Sequence, residues 1–306
     1  MKIFAPLSAL AVFASLSLSS ITASAITITE EEFDGPDNLT MNAVLYLPDN
    51  YDPEETHEAV VMLHGCSGMW SNSDYGAYSG GNPNLQNHLD KWGIKLANEG
   101  IVALAVDSFT PRTPSGVTED DFQHQCSGDT YAGDVDPYTD RVADARAAYD
   151  YLVSYGGISS AHVGLLGWSH GAQAAMVEAA ETLPTANTAR TNHVFSATVV
   201  FYPGCGLALD FVDTSNVADS YWRPHTHFRM NMGENDSFYS NCDTRMDIAI
   251  ASPYNAPVEY ESYAGAGHSF DGGSQTWPTS TCGTANNTCA MYDADIDSFS
   301  FFQSHL

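Results

Sequence analysis

Gly167-Trp168-Ser169-His170-Gly171 fits the pattern G-x-S-x-G. It follows the apolar run Val163 to Leu166 and precedes an Ala-rich stretch from Gly171 to Ala180. A strand that turns sharply into a helix leaves little room beside the serine, and the flanking glycines supply it. The first N–H groups of such a helix also favour developing negative charge. A serine hydroxyl becomes a useful nucleophile only when a base takes its proton. His268 fits that role, because Val258 to Tyr263 reads as a late strand and runs into Ala264-Gly265-Ala266-Gly267-His268. A carboxylate must then hold the imidazole. Asp236 is the choice, with Glu234 as the rival in the same segment after His227 to Met232. The order serine, acid, histidine is that of nucleophile-elbow hydrolases. Two backbone donors are expected for an oxyanion, His170 N–H and Cys66 N–H in the turn His64-Gly65-Cys66-Ser67-Gly68. The bland alternative is a set of Gly-rich turns and solvated loop side chains.

The elements that must position these residues alternate in type. Met41 to Leu47, Ala59 to Leu63 and Ile101 to Val106 read as strands, as do Val163 to Leu166, Ser196 to Phe201, His227 to Met232 and Val258 to Tyr263. Leu85 to Asn98, Tyr138 to Tyr155 and Gly171 to Ala180 read as helices, and Ile296 to Phe302 begins a terminal one. Apolar strands alternating with amphipathic helices predict an α/β fold, a mostly parallel sheet with helices on both faces. Sites in such sheets gather at the carboxyl ends of strands. Three long connections lie there: 66–83, 109–136 and 204–226. They carry Trp70, Tyr75, Tyr78, Phe122, Tyr131, Tyr221 and Trp222. Trp70 and Trp222, with Trp168 beside Ser169, stand as candidate substrate contacts, against the plainer reading that the loop aromatics pack the loops down.

Met1-Lys2, an apolar run from Ile3 to Leu18, and Ala23-Ser24-Ala25 follow the order of a signal peptide. Residues 1–25 are therefore expected to be removed, and 26–306 to form one domain in the secreted or periplasmic space. No run reaches the length of a good membrane span. The chain has 38 acidic and 10 basic residues, a net charge of −28. That field repels nucleic acid and anionic membrane surfaces. Six cysteines in an exported chain suggest disulfides. Cys282 and Cys289 enclose a short polar loop and are expected to pair. The other four allow three pairings, and the residues alone do not choose. No CxxC or His/Cys set has ligand spacing, so neither metal nor cofactor is expected.

His64 to Gly68, Asp107-Ser108-Phe109-Thr110-Pro111-Arg112, Gly167 to Gly171, Gly233 to Asp236 and Gly267-His268-Ser269-Phe270 together resemble the dienelactone hydrolase family of α/β-hydrolases. The resemblance spans most of the chain after residue 25. It implies a sheet of about eight strands, no large separate lid, and a triad of Ser169, Asp236 and His268. The exported branch with an H-G-C-x-G turn is similar, and implies the pairings Cys66–Cys126 and Cys205–Cys242. Two departures stand out. The namesake enzymes use a cysteine nucleophile where this chain has Ser169, and carry a glutamate where it has Gly65. Arg112 is a candidate for a substrate carboxylate or for a loop-fixing ion pair. Trp168 beside Ser169 resembles cutinase-like polyester hydrolases, whose early turn differs.

The expected activity is cleavage of carboxylic esters, small-molecule or polymeric, polyester or acetylated polysaccharide. A non-catalytic binding protein on the same fold and a peptidase are the rivals. If the acidity adapts the surface to salt, screening should relieve its self-repulsion. The melting temperature is then expected to rise by several degrees from low to molar sodium chloride, and indifference to salt would sink that idea.

Overall fold

The computed structural model describes residues 25–71, 78–79, 82–126, 134–183, 188–189, 192, 194–205, 222–251, 257–273 and 276–306. The leader-like segment, Tyr75, Tyr131 and Tyr221 lie outside the described residues, as does the side chain of Tyr78.

Eight strands form one sheet: β1 (Thr27–Asp34), β2 (Thr40–Leu47), β3 (His57–Leu63), β4 (Val102–Asp107), β5 (Ile158–Trp168), β6 (Ala197–Phe201), β7 (His227–Gly233) and β8 (Val258–Tyr263). Their order is β1-β2-β4-β3-β5-β6-β7-β8. The pairings of β1 with β2 and of β2 with β4 are antiparallel, and the rest are parallel. The parallel interior explains the sequence. Every residue of β4 and β6 is buried, as expected where helices cover both faces.

The helices are α1 (Asn87–Asn98), the short α2 (Glu119–Gln123), α3 (Asp140–Tyr155), α4 (His170–Ala179), α5 (Tyr239–Ala251) and α6 (Asn287–His305). Two glycines of β5 show how α4 and α6 divide. A Cβ at Gly164 would come within 2.8 Å of Phe302 in α6, and one at Gly167 within 2.5 Å of Gly171 in α4. Residues three apart along a strand face opposite ways, so α4 and α6 lie on opposite faces. On one face, Lys91 of α1 pairs with Asp295 of α6 at 2.5 Å, both buried. On the other, Arg146 of α3 forks onto Glu178 of α4 at 2.9 and 2.8 Å.

The predicted α/β sheet of about eight strands is what forms, and no separate lid domain occurs among the described residues. Most ends shift by a residue or two, but β5 starts at Ile158 and not Val163, and α6 starts at Asn287 and not Ile296. Three elements went unread: β1, whose Thr27–Asp34 segment carries three successive glutamates, the short α2, and α5. A glutamate run reads as solvated, yet on an edge strand such charges suit the solvent face and discourage edge-to-edge pairing. Among the described residues, no helix is long and apolar enough to cross a membrane.

The cysteines pair as Cys66–Cys126, Cys205–Cys242 and Cys282–Cys289. The first ties the turn after β3 to the segment beyond α2, and the second ties the end of β6 to α5. A native disulfide contributes about 2–5 kcal/mol, and in a chain of this size each kcal/mol moves Tm by roughly 2–4 °C. Reduction under native conditions is expected to lower the melting temperature by about 5–15 °C; an unchanged Tm would show that the bridges do not hold the fold.

Candidate active site

β5 ends at Trp168 and α4 starts at His170, so one residue must make the whole turn. Ser169 does so at φ 48°, ψ −109°. Non-glycine residues rarely hold a positive φ, and such a residue costs about 1–3 kcal/mol when the surroundings impose it. The surroundings do impose it. A Cβ on Gly171 would lie 2.3 Å from the Leu63 carbonyl oxygen. Only glycine lets the head of α4 come that close to β3. The Ser169 N–H donates to the Phe201 carbonyl at 3.0 Å, fixing the turn to β6.

His268 reaches Ser169 from the loop after β8, and Asp236 lies in the loop after β7. The two loops are bound together by Asn235 N–H donating to Ala266 O at 2.8 Å. Ser169 Oγ is 2.9 Å from His268 Nε2, and His268 Nδ1 is 2.6 Å from Asp236 Oδ2. Asp236 Oδ1 accepts the Phe238 N–H at 2.9 Å, and its carboxylate is buried. A carboxylate only accepts, so Nδ1 carries the imidazole proton and Nε2 is bare toward the serine. Glu234, the rival acid, is exposed and accepts from Ser262 Oγ at 3.2 Å. It does not approach His268 among the described contacts.

The turn after β3 faces the serine. Gly65, Cys66 and His170 all line the cleft beside Ser169. As the first residue of α4, His170 has an N–H that no helical carbonyl can take. Burial holds the His64 imidazole well below its usual range, aided by the charge of Arg141. The same two causes, burial first, push His170 down to about 3. Both rings are therefore neutral at physiological pH.

The cleft has a volume of about 530 Å³. Trp168 lines it, but its N–H is held by Asp271 Oδ2 at 2.9 Å. Tyr202, also on the cleft wall, donates to the other oxygen of Asp271 and lies 4.9 Å from the His268 ring. Three sequence candidates for substrate contact are not brought here. Trp70 is buried and donates to Asp107 Oδ2 at 2.7 Å. Trp222 is buried against Phe228 and donates to the Met176 carbonyl at 2.8 Å. Arg112 is forked onto Asp144 at 2.9 and 2.7 Å and also donates to Ser108 O. In each case an internal acceptor takes the polar end. The reading missed Tyr202, Asp271, Gln173, Phe238 and His88. A signal existed for Tyr202, which directly follows a strand end, and for Asp271, three residues beyond His268.

The chain matches the dienelactone hydrolase family over residues 41–306. It belongs to that family. Membership makes it a hydrolase of the α/β-hydrolase fold. No curated protein matches it. Among solved structures, a Klebsiella pneumoniae protein described as a dienelactone hydrolase is similar at TM-score 0.62 and 16% identity, over 92% of this chain and 100% of that one. Esterase 2 of Thermogutta terrifontis, phosphorylated by paraoxon, is similar at 0.57 and 13%, over 90% and 94%. Dipeptidyl peptidase 4 of Porphyromonas gingivalis is similar at 0.59 and 18%, over 91% of this chain but 35% of that one. At such identities the likeness concerns the fold alone.

His88 offers a test of the site's electrostatics. It lines the cleft against Trp168, is buried, and neither ring nitrogen has a partner among the described residues. Burial lowers its pKa to about 4, with Asp271 opposing and Lys91 adding to the shift. The unfolded chain takes this proton near pH 6.5 and the folded one resists to about 4, so the stability is complete above 6.5 and is lost as pH falls toward 4. His88→Leu is expected to flatten the acid loss of stability by up to about 1.4 kcal/mol per pH unit. Identical Tm-versus-pH slopes from pH 7 to 4.5 in parent and variant would refute this.

Proposed function

We propose that the protein is an exported serine hydrolase that cleaves carboxylic esters through an acyl-enzyme. The observation that carries this reading is the unbroken hydrogen-bonded series Ser169–His268–Asp236, 2.9 and 2.6 Å, on a strained turn at the mouth of a cleft. Ser169 Oγ attacks the ester carbonyl while His268 Nε2 takes its proton. The carbonyl oxygen, now negative, receives the N–H groups of Cys66 and His170. His268 then gives the proton to the departing alcohol oxygen. Water enters, loses a proton to His268 and attacks the acyl carbonyl, and Ser169 leaves with that proton. Asp236 stays ionised and keeps the imidazole in its tautomer while stabilising the imidazolium.

The preferred substrate is a neutral ester. Among the described residues lining the cleft there is no lysine or arginine. Arg112, the residue suited to a substrate carboxylate, is engaged by Asp144. A polymeric ester is the second reading, favoured by Phe238, which stays 39% exposed while lining the cleft. Three disulfides and the leader-like residues 1–25 support export. A binding protein would have no need of an intact series from serine to carboxylate, and a peptidase reading has no observation of its own in this chain.

The test is hydrolysis of nitrophenyl acetate and butyrate by the mature protein, beside two variants. Ser169→Ala is expected to lower kcat/KM by at least about 10³-fold, and Asp236→Asn by about 10²–10⁴-fold. Activity surviving in Ser169→Ala would put the nucleophile elsewhere, and an inactive parent would favour the binding-protein reading.

A further inference from the structure

The two N–H groups assigned to the oxyanion belong to separate turns, one after β3 and one at the head of α4. Behind both stands Arg141, near the start of α3 and fully buried. Its Nη1 lies 2.8 Å from the His64 carbonyl oxygen and 3.0 Å from His170 Nδ1. A guanidinium only donates. His170 must therefore present a bare Nδ1 and carry its proton on Nε2. The same logic fixes His64. The Ser108 N–H donates to His64 Nε2 at 3.3 Å, so Nδ1 carries the proton and donates to the Gly65 carbonyl at 2.7 Å. That carbonyl and the Cys66 N–H are the two ends of one planar trans peptide and point in opposite directions. Holding the carbonyl on one side aims the N–H on the other.

We propose that Arg141 is the positioning residue of the oxyanion hole, fixing the two donor turns relative to each other through the two hydrogens of a single nitrogen. The inference rests on the serine-hydrolase reading above. Arg141 touches no reacting atom; it acts through the backbone at His64 and the ring of His170. Phe109 fills the space between, 5.3 Å from the guanidinium and edge-on to both imidazoles. Burial pushes the Arg141 pKa down to about 9, with Asp144 opposing, so the charge persists at neutral pH. Its Nε and Nη2 have no partner among the described residues. A buried cation so sparsely paired is a poor device for stability alone, which favours a role in setting geometry.

The experiment compares the mature parent, Ser169→Ala, Arg141→Gln, His170→Leu and His170→Asn. It measures kcat and KM on nitrophenyl butyrate, and the inhibition constant of phenylboronic acid, whose adduct on serine presses a tetrahedral oxygen against the donors. Misplacing the donors costs less than deleting one, so Arg141→Gln is expected to lower kcat by about 10- to 100-fold with KM within about twofold. Boronate affinity should fall by a similar factor. His170→Leu keeps the backbone N–H but offers Arg141 no acceptor, and should lose kcat likewise. His170→Asn restores an acceptor and should retain several-fold more kcat than His170→Leu. This pair decides the matter if Arg141→Gln does not fold. A folded Arg141→Gln with parental kcat, a loss of kcat without loss of boronate affinity, or equal activities of the two His170 variants would overturn the inference alone. An inactive parent or an active Ser169→Ala would overturn the serine-hydrolase reading, and this inference with it.

Discussion

The strand-to-helix turn at Ser169 is the constraint to which the rest of the site answers. β5 must stop and α4 must start within one residue, and α4 must lie close enough to β3 for Gly171 to touch the Leu63 carbonyl. These demands push Ser169 to a positive φ that it would not adopt by itself. The strain is held by the parallel interior of the sheet, where β3 and β6 are buried along nearly their whole length and β5 is buried from Val163 to Trp168. The same closeness brings the turn after β3 against the serine, so the placement of the proposed nucleophile and that of the proposed oxyanion donors are two results of one packing contact.

A second layer of order comes from buried polar groups that leave side chains no choice of partner. Asp271 accepts from both Trp168 and Tyr202. It thereby links Trp168, the residue before Ser169, to Tyr202, which flanks the His268 imidazole. Asp107 accepts the backbone N–H groups of Phe109 and Thr110 and the Trp70 indole. Burial raises the cost of leaving any of these unpaired, so each network has essentially one satisfied arrangement. The fold carries these carboxylates inside while a large acidic excess covers its outside.

Much of this was legible in the sequence because it rests on local pattern. Apolar runs gave the interior strands, and the glycines around Ser169 and the small residues before His268 marked where the chain must turn tightly. What was illegible rests on partners distant in sequence. Nothing local distinguishes Asp236 from Glu234; the difference is that the fold brings His268 Nδ1 to 2.6 Å from the Asp236 carboxylate. Nothing local shows that Trp70, Trp222 and Arg112 end on internal acceptors. β1 was hidden because an edge strand takes its stability from backbone pairing with β2, which an alternating pattern does not record. The pairing of four cysteines needed either a resemblance or the fold itself.

The distribution of positive charge joins the fold to the proposed substrate choice. The chain has ten basic residues, and each described one is engaged internally. Lys91 holds Asp295, Lys95 holds Glu99, Arg112 holds Asp144, Arg146 holds Glu178, Arg223 holds Glu181, and Arg229 holds Glu259 and Asp297. Arg141 donates to the His64 carbonyl just after β3, and Arg245 to the Cys205 carbonyl in the segment after β6. The cations therefore act as braces of the scaffold, and no described one is left to attract an anion to the cleft. With the surface potential also negative, an anionic ester meets repulsion on approach and no compensation on arrival. The proposed preference for neutral esters rests on this charge pattern, whatever the length of the acyl group.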